Sequence, residues 1–218
     1  MPTLVFDILT YWHAGSGRGR DVVLDAEVMR DADGLPYLPG KTIKGLLKKA
    51  MKTSALARGA SPDQVTRLLG SDVPGTDEAT DGDEQVQRLE EGRFSTTPGS
   101  LWFGSATLPR TWTDWVRSNR TANGGEDVSS IISELFRTVA STAIDERGVA
   151  REHTLRVSEV GVPMLLRAPL RSLDPNLSDA DWIPLVESAL PYLRSLGVRR
   201  RRGYGRVKVT LDPSSGES

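Results

Sequence analysis

Hydrophobic and polar positions change period several times along the chain, and each change marks an element. Leu4-Val5-Phe6-Asp7-Ile8-Leu9 is a short apolar run with weak alternation, which predicts a strand. Asp21 to Arg30 predicts a second strand, closed by the turn signal Asp31-Ala32-Asp33-Gly34. Pro36-Tyr37-Leu38-Pro39-Gly40 is rigid and extended, because each proline fixes its own φ and restricts its predecessor. Beyond Gly40 the pattern turns helical: Ile43, Leu46, Leu47, Ala50 and Met51 share one face, with Lys41, Lys44, Lys48, Lys49 and Lys52 largely off it. Ser100–Leu108 predicts a strand, and the polar stretch from Trp112 to Gly125 predicts a loop. Val128, Ile131, Ile132, Leu135, Phe136 and Val139 form a second helical stripe with Asp127 as its N-cap. Mixed alternation over 144–170, with Gly148 and Gly161 as turns, predicts a protruding hairpin. A third helix runs from Trp182 to Leu193 and stops at Gly197, and Arg206–Leu211 alternates strictly as a last strand. Residues 212–218 read as a frayed tail.

The order lacks a repeating βαβ rhythm. It predicts an α+β fold, with helices on one face of a largely antiparallel sheet, and a ferredoxin-like arrangement is the commonest small fold of this kind. With 218 residues the chain can bury one full core, and a single domain over 1–218 is expected. No apolar run approaches the roughly 18–20 residues of a membrane span, and Met1-Pro2-Thr3 does not open a signal peptide, so a cytoplasmic protein with no membrane partner is expected.

Charge alters this picture locally. The total is 28 basic against 29 acidic residues, a net of −1 that by itself argues against a nucleic-acid partner. Yet Asp72 to Glu91 holds eight acids and one base, whereas Arg194 to Lys208 holds seven bases and no acid. The acidic stretch is glycine-bearing and aperiodic, so 71–99 reads as an acidic surface insertion on an otherwise basic domain. Four consecutive arginines, Arg199–Arg202, repel one another unless an anion sits among them.

The chemistry available is narrow. The chain has no cysteine and two histidines, which excludes disulfides, Cys-based zinc sites and thiol catalysis. Gly40-Lys41-Thr42 resembles the end of a phosphate loop, but position 35 is leucine where that motif needs glycine, and prolines 36 and 39 remove two amide donors. A helix start with Lys41 and Lys44 still suits a phosphate. Two glycine-rich basic loops, Gly15–Arg20 and Gly197–Gly205, adjoin strands; their arginines offer forked donors, their glycines allow close approach, and Tyr204 offers a stacking ring. Asp25, Glu27 and Asp31 share one face of a regular strand, either as a solvated acidic face or as oxygen ligands for a divalent ion.

Three segments together resemble the RAMP superfamily of CRISPR effector proteins, specifically the backbone subunit of type III RNA-targeting complexes. They are Leu24–Asp31 followed by Gly34–Gly45, Thr142–Ala150 running on to Glu159, and Gly197–Val207. The resemblance implies a ferredoxin-like, RRM-related core with a hairpin thumb over 144–170, bound to CRISPR guide RNA, paired target RNA, other RAMP subunits and a large signalling subunit. It implies that Asp25 holds Mg2+ or Mn2+ and cuts the target RNA. Guide-RNA contacts are implied for Lys41, Lys44 and Lys48 on the first helix, for His13, Arg18 and Arg20 near the first glycine-rich loop, and for Arg199, Arg200, Arg201, Arg202, Tyr204 and Arg206. Relatives often place a zinc site in the insertion; the cysteine-free stretch here predicts none. Lys41-Thr42 replaces the family's Ser-Ser, and Glu146 and Val149 depart from the thumb pattern. Two rival readings share the superfamily: a structural guide-RNA subunit without cleavage, and a metal-independent guide-processing nuclease using His13 as general base.

Overall fold

The computed structural model describes residues 1–14, 27–58, 61–71, 96–122, 126–151 and 154–213. Four strands form an antiparallel sheet: β1 (Thr3–Ile8), β2 (Leu101–Phe103), β5 (Met164–Ser172) and β6 (Val207–Asp212), in the order β2-β5-β1-β6. A separate two-stranded sheet joins β3 (Phe136–Ser141) to β4 (Arg156–Gly161). The helices are α1 (Gly40–Arg58), α2 (Pro62–Leu69), α3 (Arg110–Ala122), α4 (Glu126–Ser133) and α5 (Asp179–Ala189).

Register explains why β1 is central. Leu4 faces Ala168 and Leu211, Phe6 faces Leu166 and Val209, and Ile8 faces Met164 and Val207, so three cross-strand rows present one apolar face. Leu4, Phe6 and Ile8 are fully buried, each worth about 1.5–3 kcal/mol of burial. Helix α1 covers this core with Ile43, Leu47, Ala50 and Met51, at the spacing its sequence predicts. Its Ser54 is buried against α5, where the hydroxyl donates to the Ser188 carbonyl at 3.1 Å. Gly40 is required at the helix start, since a Cβ there would stand 2.3 Å from the Phe103 carbonyl oxygen. Leu38 and Ala106 exchange backbone hydrogen bonds of 2.9 and 2.8 Å, fixing that approach.

Several expectations change. Residues 27–30 form isolated bridges and not a strand, while 21–26 lie outside the described residues. The polar stretch after Trp112 is helix α3, whose apolar anchor is the fully buried Val116. The stripe from Val128 to Val139 is helical only to Ser133; Phe136 and Val139 belong to β3, because Phe136–Ser141 pairs with Arg156–Gly161. The hairpin strands therefore run 136–141 and 156–161, and β5 belongs to the main sheet instead. Helix α2 was not anticipated, although Ser61-Pro62-Asp63 is a capping signal; the Ser61 hydroxyl accepts from the Asp63 amide at 3.2 Å. Asp212 is the last residue of β6, opposite Thr3, and not part of a tail. Most of the acidic insertion, 72–95, lies outside the described residues.

Candidate nucleic-acid interface

The chain leaving β1 is where distant segments meet. Trp12 is fully buried and pairs with Gly161 of β4 through backbone bonds of 3.0 and 2.8 Å. Gly161 must be glycine, because a Cβ would lie 2.6 Å from the Trp12 indole nitrogen. One residue on, the His13 carbonyl accepts from the Val198 amide at 3.1 Å, and Ala14 accepts from Met29 at 3.0 Å. Residues 12–14 thus bind β4 on one side, the arginine loop on another, and the strand-like segment 27–30 at their end.

Side chains complete the junction. Glu159 is buried on β4 and accepts from the Val28 amide at 3.1 Å, while its other oxygen pairs with the Arg30 guanidinium. That guanidinium also lies over the Phe136 ring, 3.7 Å from its centroid. The buried His13 ring is held by Nδ1, which donates to the Glu159 carbonyl at 2.7 Å. Since a carbonyl only accepts, Nδ1 carries a proton, and the neutral tautomer consistent with this bond has Nε2 as its acceptor. Arg199 reaches Ser158 of β4, its Nη2 donating to the hydroxyl at 3.0 Å.

The arginine loop is clamped at both ends. Gly197, at φ +74°, sits so close to His13 that a Cβ would be 2.2 Å from its carbonyl oxygen, and at Gly205 the corresponding distance to the Leu196 oxygen is 2.0 Å. Thr10 contributes its hydroxyl, donating to the Gly203 carbonyl at 3.1 Å and accepting from the Arg206 amide at 3.0 Å. These two glycines therefore admit protein backbone; they are not spent on approach to a phosphate. Arg199 holds φ 57° without being glycine, a left-handed conformation costing about 1–2 kcal/mol. Its strain turns Arg200, Arg201 and Arg202 outward in one tight turn, all exposed and with no side-chain hydrogen bond or ion pair among the described residues.

Of the other anticipated residues, Lys41, Lys44 and Lys48 lie along α1, whose start packs on β2, while the arginine loop leads into β6 at the opposite edge of the sheet. Arg206 is exposed and Tyr204 half-buried beside His13. Asp25, Arg18 and Arg20 lie outside the described residues. Among the described residues no group of three or more His, Cys, Asp or Glu could hold a metal ion. Asp31 spends its Oδ1 on the amides of Asp33 and Leu35, both at 2.9 Å, and Glu159 is engaged as above, so these residues by themselves do not make a cation cage. Sequence reasoning gave Arg30 and Ser158 no role in the site, placed Phe136 in a helical stripe, and named Glu159 only as the end of the second resembling segment. Their partners are remote in the chain, and no local pattern announces them.

An α+β fold with an antiparallel sheet and a cationic loop fixed beside a small cavity defines the class. The RAMP superfamily profile matches residues 5–208, and the chain belongs to that superfamily. No curated protein sequence matches it. Among solved structures, it is similar to a chain of the cryo-EM structure of the Type III-B Cmr-beta complex bound to cognate target RNA. That likeness has TM-score 0.64 at 13% identity, covering 96% of each chain. The apo state of the same complex gives TM-score 0.62 at 13% identity, again over 96% of each. A chain of a Type IV-B CRISPR complex gives 0.53 at 16% identity, covering 100% of this chain and 92% of that one. At such identities the likeness is one of fold. Among the described residues no helix is long and apolar enough to cross a membrane.

Proposed function

We propose that this protein is an RNA-binding subunit of a multi-subunit CRISPR effector complex of the type III kind, holding guide RNA against its arginine loop. The observation that carries this reading is the loop itself: three adjacent arginines are turned to solvent by a strained residue and two backbone-clamping glycines, on a scaffold tied to the β3–β4 hairpin. Exposed guanidiniums held in a fixed turn suit phosphate oxygens, which accept forked donors. Membership of the RAMP superfamily and likeness to a chain of a Type III-B structure bound to cognate target RNA support the same reading. In this account β1, α1, β2, β5, α5 and β6 make a ferredoxin-like core, which their βαββαβ order and the β2-β5-β1-β6 sheet favour, and β3–β4 is the thumb. Guide RNA, target RNA and neighbouring RAMP subunits are then the partners, and the cytoplasm the compartment.

Cleavage of target RNA by Asp25 with Mg2+ or Mn2+ is a second part of the proposal, separable from binding. Its test is Asp25→Ala in the assembled complex: magnesium-dependent cleavage is lost while RNA remains bound, and cleavage at the wild-type rate would remove Asp25 from the chemistry. For binding, the protein co-expressed with a CRISPR array should purify with RNA, read from its ultraviolet absorbance ratio. A nucleic-acid-free preparation would count against the reading.

A further inference from the structure

Beneath the arginine loop lies a cavity of about 100 Å³ lined by His13, Ser158, Val160, Val198, Arg199 and Tyr204. It holds the space of about three waters, far below the 300–1,000 Å³ of a small-molecule site. Its walls are mixed: two valines and a tyrosine ring on one hand, one guanidinium and one imidazole on the other. We propose that this cavity receives the edge of one unpaired RNA base from the strand bound over Arg200–Arg202, stacked by Tyr204. The inference rests on the RNA-binding reading above and adds to it a place where a base, and not only the backbone, is held.

The chemistry separates a base from a phosphate. A phosphate needs several donors and no acceptor facing it. Here His13 Nδ1 donates to the Glu159 carbonyl, and in the neutral tautomer that bond selects, Nε2 is an acceptor. Among the described residues no buried side-chain nitrogen or oxygen lacks a partner, and the His13 ring that carries Nε2 lines the cavity. Arg199 spends one donor on Ser158 and keeps others. One acceptor, a donor fork, apolar walls and a ring match a base edge, which carries an amine or imine N–H beside a carbonyl or ring nitrogen. Val160 is buried and closes the floor, whereas Val198 is 51% exposed and stands at the mouth. The strained Arg199 backbone has a use in this arrangement: it lets one arginine turn inward while the next three turn out.

The test uses the full chain, a single-stranded RNA oligonucleotide and its abasic counterpart of the same length, with affinities read by fluorescence anisotropy. Wild type is expected to bind the base-bearing RNA about tenfold more tightly than the abasic one, the usual scale of one stacked base. Val198→Trp fills the mouth and leaves Arg200–Arg202 intact; it should bind both RNAs with the wild-type abasic affinity. Tyr204→Ala should behave the same way, and Tyr204→Phe should retain the preference. Equal binding of both RNAs by wild type, or an undiminished preference in Val198→Trp, would overturn the base pocket while leaving RNA binding in place. Failure of wild type to bind either RNA would remove the RNA-binding reading itself, and the pocket with it.

Discussion

Removing the Glu159 carboxylate should loosen the junction on which the arginine loop is mounted. Its two oxygens serve the Val28 amide and the Arg30 guanidinium, and the side chain of Glu159 is 11% exposed against 38% for Arg30. The bond from a buried amide to a carboxylate contributes about 1.5–3 kcal/mol. The ion pair falls between the at most about 1 kcal/mol of an exposed pair and the about 3–5 kcal/mol lost on breaking a buried one. Arg30 retains its stack on Phe136 when the acid is gone, which softens the loss. Glu159→Ala is therefore expected to lower stability by about 3 kcal/mol, a fall in Tm of about 6–12 °C for a chain of this size. Urea unfolding followed by tryptophan fluorescence measures it. A double-mutant cycle with Arg30→Ala should show a coupling of about 1–2 kcal/mol, and the Val28 amide should exchange faster in Glu159→Ala. Additivity within about 0.5 kcal/mol, the level of independent sites, would refute the joint role.

Three further expectations follow from the glycines and one cap. Gly197→Ala should cost clearly more stability than Gly203→Ala, by more than about 1 kcal/mol: both have positive φ, but only Gly197 would press its Cβ on backbone, whereas Gly203 faces open space. Gly45→Ala should stabilise the protein by about 0.5–1 kcal/mol, since this glycine lies inside α1 with nothing within 4 Å of its would-be Cβ. The Ser178 hydroxyl, then the Ser178 amide, donate to Asp181 at the start of α5 and hold its carboxyl below the usual carboxylate range. A depressed folded value means stability that is present above the unfolded value and lost as pH falls through the folded one. Asp181→Asn should therefore lower Tm at neutral pH, where that contribution is present, and flatten the slope of Tm against pH on the acid side, so that variant and wild type converge as pH falls.

What the sequence made legible follows from how each element is buried. α1 and β6 have clean periods because one face of each meets the core and the other meets water, whereas central β1, buried along most of its length, shows as an apolar run. Helix α3 escaped because its fully buried position, Val116, stands among polar residues, with Trp115 half-exposed. At Phe136 the helical spacing simply continued, and what chose a strand was pairing with Val160 and Gly161 and the stacked Arg30, none of them local. The arginine loop was legible as charge, but the reason for its glycines was not. They receive the backbones of His13 and Leu196, contacts that only the closed fold creates. Glu159 was legible only as the end of a resembling segment, and its structural role was not, since both its side-chain partners sit in the segment before α1.

The account's central claim is that Arg200, Arg201 and Arg202 meet RNA phosphates, and the salt dependence of binding tests it most directly. Each phosphate contact on single-stranded RNA adds about 0.7 to the slope of log affinity against log salt. The triple variant Arg200→Ala, Arg201→Ala, Arg202→Ala should bind more weakly, with a slope smaller by about 2, and should unfold as wild type does, because these exposed side chains make no hydrogen bond or ion pair among the described residues. An unchanged slope and affinity in a folded triple variant would contradict the claim.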